Sequence, residues 1–407
     1  MRLLLFTGKG GVGKTTTAAA TAVRAARRGT KTLVASTDPS HSLADALAVP
    51  LGAEPTEVEP GLFGQQIDST TRAEQHWRGI QEYLLAVLDR AGLDPVAAEE
   101  LTALPGADEL LALLEVRDQV RRGPWDLVVL DCAPTAETLR LLALPEALGW
   151  YLDRSLTPER RVARALRPVL GRGRVPRPED PVLEALARLR AELADVREVL
   201  TAPGTSVRLV LTPESVVVAE ARRTLTTLAL YGYAVDGVVA NRVVPGGDDP
   251  WRASWAAAQA KALHDVRTSF SPVPVLVGGY AESEPVGVEA LARLADDVYA
   301  GSDDDWLDDD WLDGGGPDGW PDERVAPSVR VERSGEEFVL RLALPLADRR
   351  DVDLSRRGDE LVVTIGPHRR VLALPSALRR CTVVGAALRD GSLRIRFEPD
   401  PSLWRPL

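Results

Sequence analysis

Eight consecutive residues near the amino terminus have the types and spacing of a phosphate-binding loop: Gly8-Lys9-Gly10-Gly11-Val12-Gly13-Lys14-Thr15. Glycines let successive backbone N–H groups converge on phosphate oxygens, and the positive end of a following helix dipole attracts the same anion. Lys14 is expected to reach the β- and γ-phosphates, and the Thr15 hydroxyl to bind Mg²⁺. A strand, Leu3 to Phe6, and a helix opening at Thr16 flank the loop as this motif requires, which disfavours a turn with incidental lysines. The pattern predicts a nucleoside triphosphate site.

Lysine is scarce in this chain, which has four lysines against 45 arginines, and two of the four lie in this loop. The loop therefore favours a compact ammonium over a planar guanidinium. Lys9, directly after the first glycine, resembles the signature lysine of deviant Walker A ATPases, which crosses a dimer interface to the partner subunit's phosphates. A cation supplied in this way raises P-loop hydrolysis by ~10³–10⁵-fold. A solvated lysine at the loop edge is the alternative.

Two aspartates follow apolar runs that are predicted to be strands. Asp38 comes after the second run, where a carboxylate beside the γ-phosphate can orient the attacking water and accept its proton. A helix cap is an equally good interpretation of Asp38. Asp131 ends the run Leu127 to Leu130, as in a Walker B motif that holds Mg²⁺ directly or through water. A buried structural acid is the alternative for Asp131.

The elements that position these residues alternate along the chain. Short apolar runs separated by helical stretches occur at Lys31–Ser36, Asp126–Leu130, Val207–Leu211, Gly237–Val239 and Val273–Val277. This order predicts an α/β fold, a doubly wound parallel sheet of the P-loop NTPase type, with the ligand at the carboxyl ends of the strands. Residues 65–115 and 146–200 are longer than crossovers need and predict a helical subdomain within a domain of residues 1–300.

Composition restricts the compartment. The two cysteines, Cys132 and Cys381, cannot form a disulfide framework, which fits a reducing environment. The amino terminus has no apolar leader, and no apolar run approaches the ~18 residues that span a bilayer. We expect a cytoplasmic protein with no integral membrane segment and no nucleic-acid partner.

An acidic segment at residues 301–327 explains most of the formal net charge of −11. Residues 301–325 hold nine Asp, one Glu and one Arg, a local charge of −9 that leaves −2 for the rest of the chain. Self-repelling charge predicts a disordered linker. The repeated Asp-Asp-Asp-Trp-Leu pattern leaves open a docking motif for a basic partner.

Short alternating strands follow the linker. Leu393, Ile395 and Phe397 alternate with arginines, as one buried face requires, and turns such as Asp390-Gly391 separate the strands. We expect a C-terminal all-β sandwich over residues 328–402. Its order resembles the α-crystallin domain of small heat-shock proteins, with the usual dimerisation loop shortened to residues 366–368 and no Ile-x-Ile tail motif.

The N-terminal motifs together resemble the ArsA family: GKGGVGKTT, STDPSHSLADAL, LDCAPTAETLRLL, Thr212-Pro213-Glu214 and Val238-Val239-Ala240-Asn241-Arg242. That family covers arsenite-pump ATPases and cytosolic targeting factors for tail-anchored membrane proteins. The resemblance implies a Mg²⁺-dependent ATPase, with Asp38 as catalytic aspartate and Asp131 opening a second switch. It also implies Glu214 near the nucleotide and Asn241 at the adenine edge, where an amide can both donate and accept. From the sequence alone Asn241 is equally a turn residue.

The chain also departs from the family. It lacks a Cys-x-x-Cys pair for a zinc-clamped dimer, and its two cysteines do not cluster as metalloid ligands. Ala136-Glu137 replaces the Gly-His of the second switch, and the four histidines (His41, His76, His264 and His368) show no metal spacing. Eight arginines between Arg154 and Arg177 are interpreted as a solvated helix face, or as a contact for anionic lipid or an acidic partner.

We therefore expect a Mg²⁺-dependent ATPase that closes as a homodimer around ATP and opens after hydrolysis. Three outputs fit: a factor that binds a protein client, such as an apolar membrane-protein segment; the energising ATPase of an anion or arsenite efflux system docked to a membrane partner; or a nucleotide-gated switch with a soluble partner.

Overall fold

The structure is a computed structural model that describes residues 1–38, 40, 42–67, 107–135, 138–139, 142–143, 181–300, 329–335 and 337–403. Several predictions lie outside these residues: the acidic linker, the arginine run, Ala136-Glu137, His41, His76 and most of the helical subdomain. The chain divides into two compact units, one of residues 1–66, 124–139 and 201–407, and one of residues 67–123 and 140–200.

An eight-stranded sheet forms the centre of the first unit, in the order β3-β4-β2-β5-β1-β6-β7-β8. Its strands are β1 (Arg2–Thr7), β2 (Thr32–Ser36), β3 (Thr56–Glu59), β4 (Leu62–Gln66), β5 (Leu127–Asp131), β6 (Thr205–Leu211), β7 (Val235–Val243) and β8 (Val275–Gly279). All neighbouring pairs are parallel except β3 with β4, which is antiparallel. The predicted fold class is confirmed, with an antiparallel edge strand as the difference.

The central strands are apolar on both faces because helices cover both faces. Every residue of β1 and β5 is buried, as parallel sheets between two helical layers require. The covering helices are α1 (Lys14–Arg27), α2 (Ser42–Leu47), α5 (Ser215–Tyr231), α6 (Pro250–Phe270) and α7 (Val288–Val298). Since β1 crosses towards β2 and β6 crosses the other way towards β7, right-handed connections place α1 and α5 on opposite faces.

A buried ionic cluster fixes the helix that follows the loop. Arg208, fully buried in β6, donates to Asp236 and to the hydroxyl of Tyr299, the latter at 2.7 Å. The Tyr299 hydroxyl lies 2.6 Å from Thr21 Oγ1, which itself donates to Thr17 O within α1. The first two turns of α1 are thus tied to the sheet by hydrogen bonds.

The described part of the second unit contains the helices α3 (Ala107–Arg122) and α4 (Pro181–Leu200). The two helices are in contact, and each carries buried leucines, such as Leu113 in α3 and Leu193 in α4. An ion pair between Arg121 and Asp195, 2.6 Å apart, joins their exposed faces. Within the predicted stretch 65–115, Gln65 and Gln66 belong to strand β4 and not to a helix.

The C-terminal strands form two antiparallel sheets, β14-β15-β10-β9 and β11-β12-β13. They are β9 (Val329–Ser334), β10 (Glu337–Ala343), β11 (Val352–Arg357), β12 (Glu360–Ile365), β13 (His368–Ala373), β14 (Cys381–Arg389) and β15 (Ser392–Pro399), with a short helix α8 (Ser376–Arg379). The predicted alternation holds, since Leu393, Ile395 and Phe397 are buried in the core. These sheets confirm the all-β sandwich of the predicted fold class.

The sandwich packs against helix α5 of the first unit. Leu230 of α5, fully buried, belongs to the same apolar cluster as the sandwich core. The buried guanidinium of Arg370 in β13 donates to the Leu230 carbonyl, one of the last carbonyls of the helix, where a cation also complements the helix dipole. Thr226 Oγ1 adds a contact of 2.6 Å to the Pro345 carbonyl. The sandwich core is therefore completed by a residue of the helix that follows β6.

Candidate nucleotide-binding site

The predicted phosphate-binding loop joins β1 to α1, and its geometry requires glycine at three positions. Gly11 and Gly13 have φ of +83° and +93°, the left-handed region that glycine adopts without steric cost. A Cβ at Gly8 would lie 2.1 Å from the Val210 carbonyl oxygen at the end of β6. The loop is therefore pressed against the neighbouring strand end, and only glycine allows that approach.

Lys14 is the first residue of α1, and its side chain lies under the loop. It is 6% exposed, and its Nζ is 3.5 Å from the Lys9 carbonyl oxygen. The first turn of α1 is Lys-Thr-Thr-Thr and has no acidic residue to neutralise the positive helix end. Thr15 and Thr16 are half-buried in this turn. The ammonium and the helix terminus are thus both directed at the loop, as anion binding requires.

Asp131, the last residue of β5, is fully buried beside the start of α1. Its Oδ2 accepts a hydrogen bond of 3.0 Å from Ser36 Oγ, and its Oδ1 is buried without a hydrogen-bond partner. Burial raises the pKa of Asp131 to about 6, although the hydroxyls of Thr15 and Ser36 and the Lys14 ammonium all lower it. An unpartnered carboxylate oxygen next to a threonine hydroxyl is a donor set that suits a hard divalent cation, so these residues fit Mg²⁺.

Asp38 follows β2 and is held by its backbone. Its N–H donates to Ser36 Oγ at 3.2 Å, and its carbonyl accepts from Gln66 Nε2 at 2.8 Å. Its Oδ1 accepts from the backbone N–H of Ser40 at 2.9 Å, which is the contact of a local turn. The negative charge of Asp38 contributes to the raised pKa of Asp131, so the two carboxylates lie within electrostatic reach. The structure therefore places Asp38, Asp131 and Lys14 at one edge of the sheet.

The segment after Asp131 contacts the phosphate-binding loop directly. The backbone N–H of Thr135 donates to the Gly8 carbonyl at 3.2 Å, and that of Cys132 donates to the Phe6 carbonyl at 3.1 Å. The Thr135 hydroxyl is buried without a hydrogen-bond partner. Thr138 closes the turn by donating to the Ala133 carbonyl at 2.6 Å. The segment predicted as the second switch thus contacts the phosphate-binding loop, and the sequence did not indicate these contacts.

Lys9 is the exposed cation of the loop. Its side chain is 41% exposed, and its Nζ lies 3.9 Å from Glu220 Oε2 on helix α5 of the same chain. Exposed pairs of this kind contribute about 0–1 kcal/mol. The role of Lys9 at a partner subunit remains a prediction, and its exposure leaves the amine able to reach one.

Asn241 and Arg242, at the end of β7, hold the loop from the other side. Asn241, buried, donates from Nδ2 to the Val12 carbonyl at 2.9 Å, and Arg242 donates from Nη1 to the Gly11 carbonyl at 2.8 Å. The adenine-reading role of Asn241 stays a prediction. In this structure its amide nitrogen donates a hydrogen bond to the loop. Glu214 lies at the start of α5 with an exposed side chain.

Three residues of the site were missed from the sequence: Ser36, Gln66 and Gln259. Each is a buried polar side chain: Ser36 and Gln66 are the last residues of β2 and β4, and Gln259 lies on the buried face of α6. Ser36 and Gln66 position Asp131 and Asp38, and Gln259 binds the backbone on both sides of Val243. A polar residue at an expected core position is a usable signal, since buried polar groups need partners.

Soft-metal chemistry finds no support in the described residues. No group of three or more His, Cys, Asp or Glu side chains gathers there as a metal site. Both cysteines are buried, and burial raises the pKa of each thiol, that of Cys132 well above its usual range. A thiol held in its protonated form is a poor metalloid ligand.

Comparisons with known proteins agree with this geometry. The anion-transporting ATPase family, ArsA, matches residues 1–300, and the HSP20-like domain found in ArsA proteins matches residues 335–397. A protein of Streptomyces coelicolor is 44% identical over 99% of both chains. A Chlorobaculum tepidum protein named as a putative arsenical pump-driving ATPase is 37% identical over 98% of this chain and 96% of its own. A Trypanosoma cruzi protein named as an ATPase ASNA1 homolog is 31% identical over 71% of this chain and 88% of its own.

A sheet of this order with its loop, buried aspartate and helix terminus defines a P-loop nucleotide-binding protein. The chain belongs to the ArsA ATPase family, and it carries the HSP20-like domain of that family at its C-terminal end. Every helix in the described part of the chain is too short or too polar to span a membrane.

Proposed function

We propose that this chain hydrolyses ATP at the loop Gly8–Thr15 with Mg²⁺ bound by Thr15 and Asp131. The observation that carries the proposal is the buried Asp131 Oδ1, which has no hydrogen-bond partner and lies at the edge that holds Lys14. Leaving a buried carboxylate oxygen unpaired costs free energy, and a divalent cation at this position offsets that cost. When bound, Mg²⁺ neutralises charge that develops on the phosphate oxygens.

Asp38 is the general base of this proposal. Its backbone is fixed from two sides, by Ser36 and by Gln66, and the carboxylate is half-buried. A carboxylate that cannot drift away from the phosphates can orient a water and take its proton, a contribution of ~10²–10⁴-fold. Lys14 supplies positive charge from within the chain, close to where the γ-phosphate would lie.

Lys9 completes the site in a second copy of the chain. Its ammonium is exposed and its contact with Glu220 is weak, so release from that contact costs little. In the proposed ATP state, two copies close around the nucleotides, and each Lys9 reaches the phosphates of the other. Opening after hydrolysis then drives the binding and release of a client.

A first test combines Asp38→Asn and Lys9→Ala. We expect Asp38→Asn to lose ~10²–10⁴-fold in turnover while it still binds ATP and stays dimeric with it. Lys9→Ala should bind ATP but lose ~10³-fold or more in turnover and fail to dimerise. Turnover is measured as phosphate release, and dimerisation by light scattering with and without ATP.

Lys261→Ala is the matched control, because Lys261 is an exposed lysine on α6 outside the site. It should hydrolyse ATP like the unchanged protein. Normal turnover by Asp38→Asn would show that Asp38 is not the general base. An active, dimeric Lys9→Ala would show that Lys9 does not act on the phosphates of the second copy.

The more specific part of the proposal concerns the client that the ATPase cycle binds and releases. Two of the outputs considered are a targeting-type ATPase and a pump-driving one, and the name of the Chlorobaculum relative supports the second. Both cysteines are buried and belong to no cluster of metal-ligating side chains among the described residues, which favours the first. Adding arsenite or antimonite to the same hydrolysis assay separates the two, since only an arsenical pump subunit is stimulated by them.

A further inference from the structure

Strand β7 contains an irregularity where it meets the phosphate-binding loop. Ala240 pairs with Val277 of β8 and Val243 pairs with Gly279, so two residues of β7, Asn241 and Arg242, face one residue of β8. Arg242 also has φ of +57°, the left-handed region that non-glycine residues avoid. This is the geometry of a β-bulge, which locally redirects side chains.

The bulge allows two consecutive side chains to serve the same loop. On a regular strand, neighbouring side chains point to opposite faces of the sheet. Here Asn241 and Arg242 bind adjacent carbonyls, those of Val12 and Gly11, at 2.9 and 2.8 Å. The strained backbone of Arg242 is therefore coupled to a specific contact with the loop.

Gln259 of helix α6 holds the bulge in place. Its side chain is 4% exposed, its Nε2 donates to the Arg242 carbonyl at 3.2 Å, and its Oε1 accepts from the Val244 N–H at 2.7 Å. Both ends of the amide are thus used by backbone groups at the bulge. Strained residues of this kind persist only where their surroundings fix them, and they concentrate at functional sites.

Peptide planarity converts the two carbonyl contacts into an orientation of two N–H groups. In a trans peptide the C=O and the following N–H point in opposite directions. Because the Gly11 and Val12 carbonyls point towards the bulge, the N–H groups of Val12 and Gly13 point away from it. These are the backbone donors that a loop of this type offers to phosphate oxygens.

We propose that Asn241 and Arg242 form a clamp that orients the Val12 and Gly13 N–H groups for the triphosphate, with Gln259 as its support. The clamp rests on the proposed function, since it names positioning residues for the same site. It also gives Asn241 a role other than adenine recognition. A clamp acts on the phosphates, so its loss weakens binding of any triphosphate, with or without a base.

Arg242→Gly tests the clamp without threatening the fold, because glycine accepts φ of +57° without strain. We expect an unchanged or raised Tm, together with about a ten-fold or larger rise in Kd for both ATP and inorganic tripolyphosphate, measured calorimetrically with Mg²⁺. Asn241→Ala should weaken both ligands in the same way. Asp390→Gly, which removes the side chain of another residue with positive φ in a sandwich turn, is the matched control and should keep both affinities.

Backbone ¹⁵N relaxation of the ligand-free protein provides a second readout, because it reports the motion of N–H groups that have no hydrogen-bond acceptor. The clamp predicts lower order parameters for the Val12 and Gly13 N–H groups in Arg242→Gly and not in Asp390→Gly. Unchanged order parameters would overturn the clamp. Affinity lost for ATP but kept for tripolyphosphate would also overturn it and return both residues to reading the nucleoside. If the unchanged protein binds neither ligand, the proposed function fails, and the relaxation experiment still decides the clamp.

Discussion

The carboxyl edge of the parallel sheet and the β-sandwich differ in which buried polar atoms they leave unpaired. Among the described residues at the edge, the buried oxygens without hydrogen-bond partners include Thr7 Oγ1, Gln66 Oε1, Asp131 Oδ1 and Thr135 Oγ1, and Arg242 has a strained backbone. Each of these features costs stability. They lie at the edge that carries the phosphate-binding loop, which is what a site prepared for a charged ligand requires.

The described part of the sandwich shows the opposite arrangement of polar atoms. Its buried atoms without partners are the Nε atoms of Arg341 and Arg394, and each of these guanidinium groups makes an ion pair through Nη2. Its buried cation, Arg370, is directed at the end of helix α5. We therefore interpret the sandwich as a structural body attached to the ATPase helix, and the chemistry lies at the sheet edge.

The largest expected effect comes from Asp131→Asn, which removes the charge and keeps the shape. We expect turnover to fall by at least ~100-fold, because the amide cannot hold Mg²⁺ as a carboxylate does. The ligand-free variant should be at least as stable as the unchanged protein at neutral pH, since a desolvated charge has been removed. Phosphate release and urea unfolding measure the two effects. A loss of stability equal to that of a core mutation would mean that Asp131 is structural.

The pH dependence of the same residue has a defined sign. Its folded pKa of about 6 lies above the ordinary value of 3.8, so its contribution to stability is complete below about pH 4 and is lost as pH rises through about 6. The shift corresponds to about 3 kcal/mol. The unchanged protein should therefore gain stability relative to Asp131→Asn between pH 7 and pH 5. Asp126→Asn, at the exposed amino end of β5, is the control and should keep full turnover.

Leu230→Ala addresses the sandwich side of the comparison. Removing a fully buried leucine from the shared core should cost about 2–5 kcal/mol of unfolding free energy. Hydrogen exchange should accelerate in β10 and β13, while Mg²⁺-ATP affinity stays unchanged. Leu230→Met, which conserves volume, should cost less than about 1.5 kcal/mol. Unaltered exchange in the sandwich would show that its core is complete without α5.

The central sheet and the position of its ligand were predictable from sequence because both depend on local patterns. Apolar runs ending in polar residues indicated β1, β2 and β5, and therefore the edge where Asp38 and Asp131 lie. The hairpin of β3 and β4 was missed. Thr56–Glu59 carries two glutamates and is largely exposed, so it has no buried face to reveal it.

The remaining features depend on contacts between distant residues. The bulge at Asn241 and Arg242 arises from pairing with β8 and support from Gln259, and neither leaves a periodic signal. The packing of the sandwich against α5 depends on Leu230, which in sequence is one more apolar residue of a helix. Patterns of two or 3.6 residues show that a side chain is buried, but they do not show against what.

Thr226→Val is expected to have the smallest effect, and it tests a single hydrogen bond between helix α5 and the sandwich. Thr226 Oγ1 has one proton and two acceptors, the Pro345 carbonyl at 2.6 Å and the Arg222 carbonyl of its own helix at 3.1 Å. Valine keeps the β-branched shape, so the change removes the hydroxyl and leaves the sandwich carbonyl unpaired, at a cost of about 1 kcal/mol. Thr227 is the matched control, since its hydroxyl donates to Arg223 within the helix. Thr227→Val should change the unfolding free energy by less, about 0.5 kcal/mol or below, because the Arg223 carbonyl keeps its backbone hydrogen bond within the helix. Equal losses in the two variants would mean that the Pro345 contact adds nothing to what an intrahelical bond supplies, and the sandwich would then be held by Leu230 and Arg370 without help from Thr226.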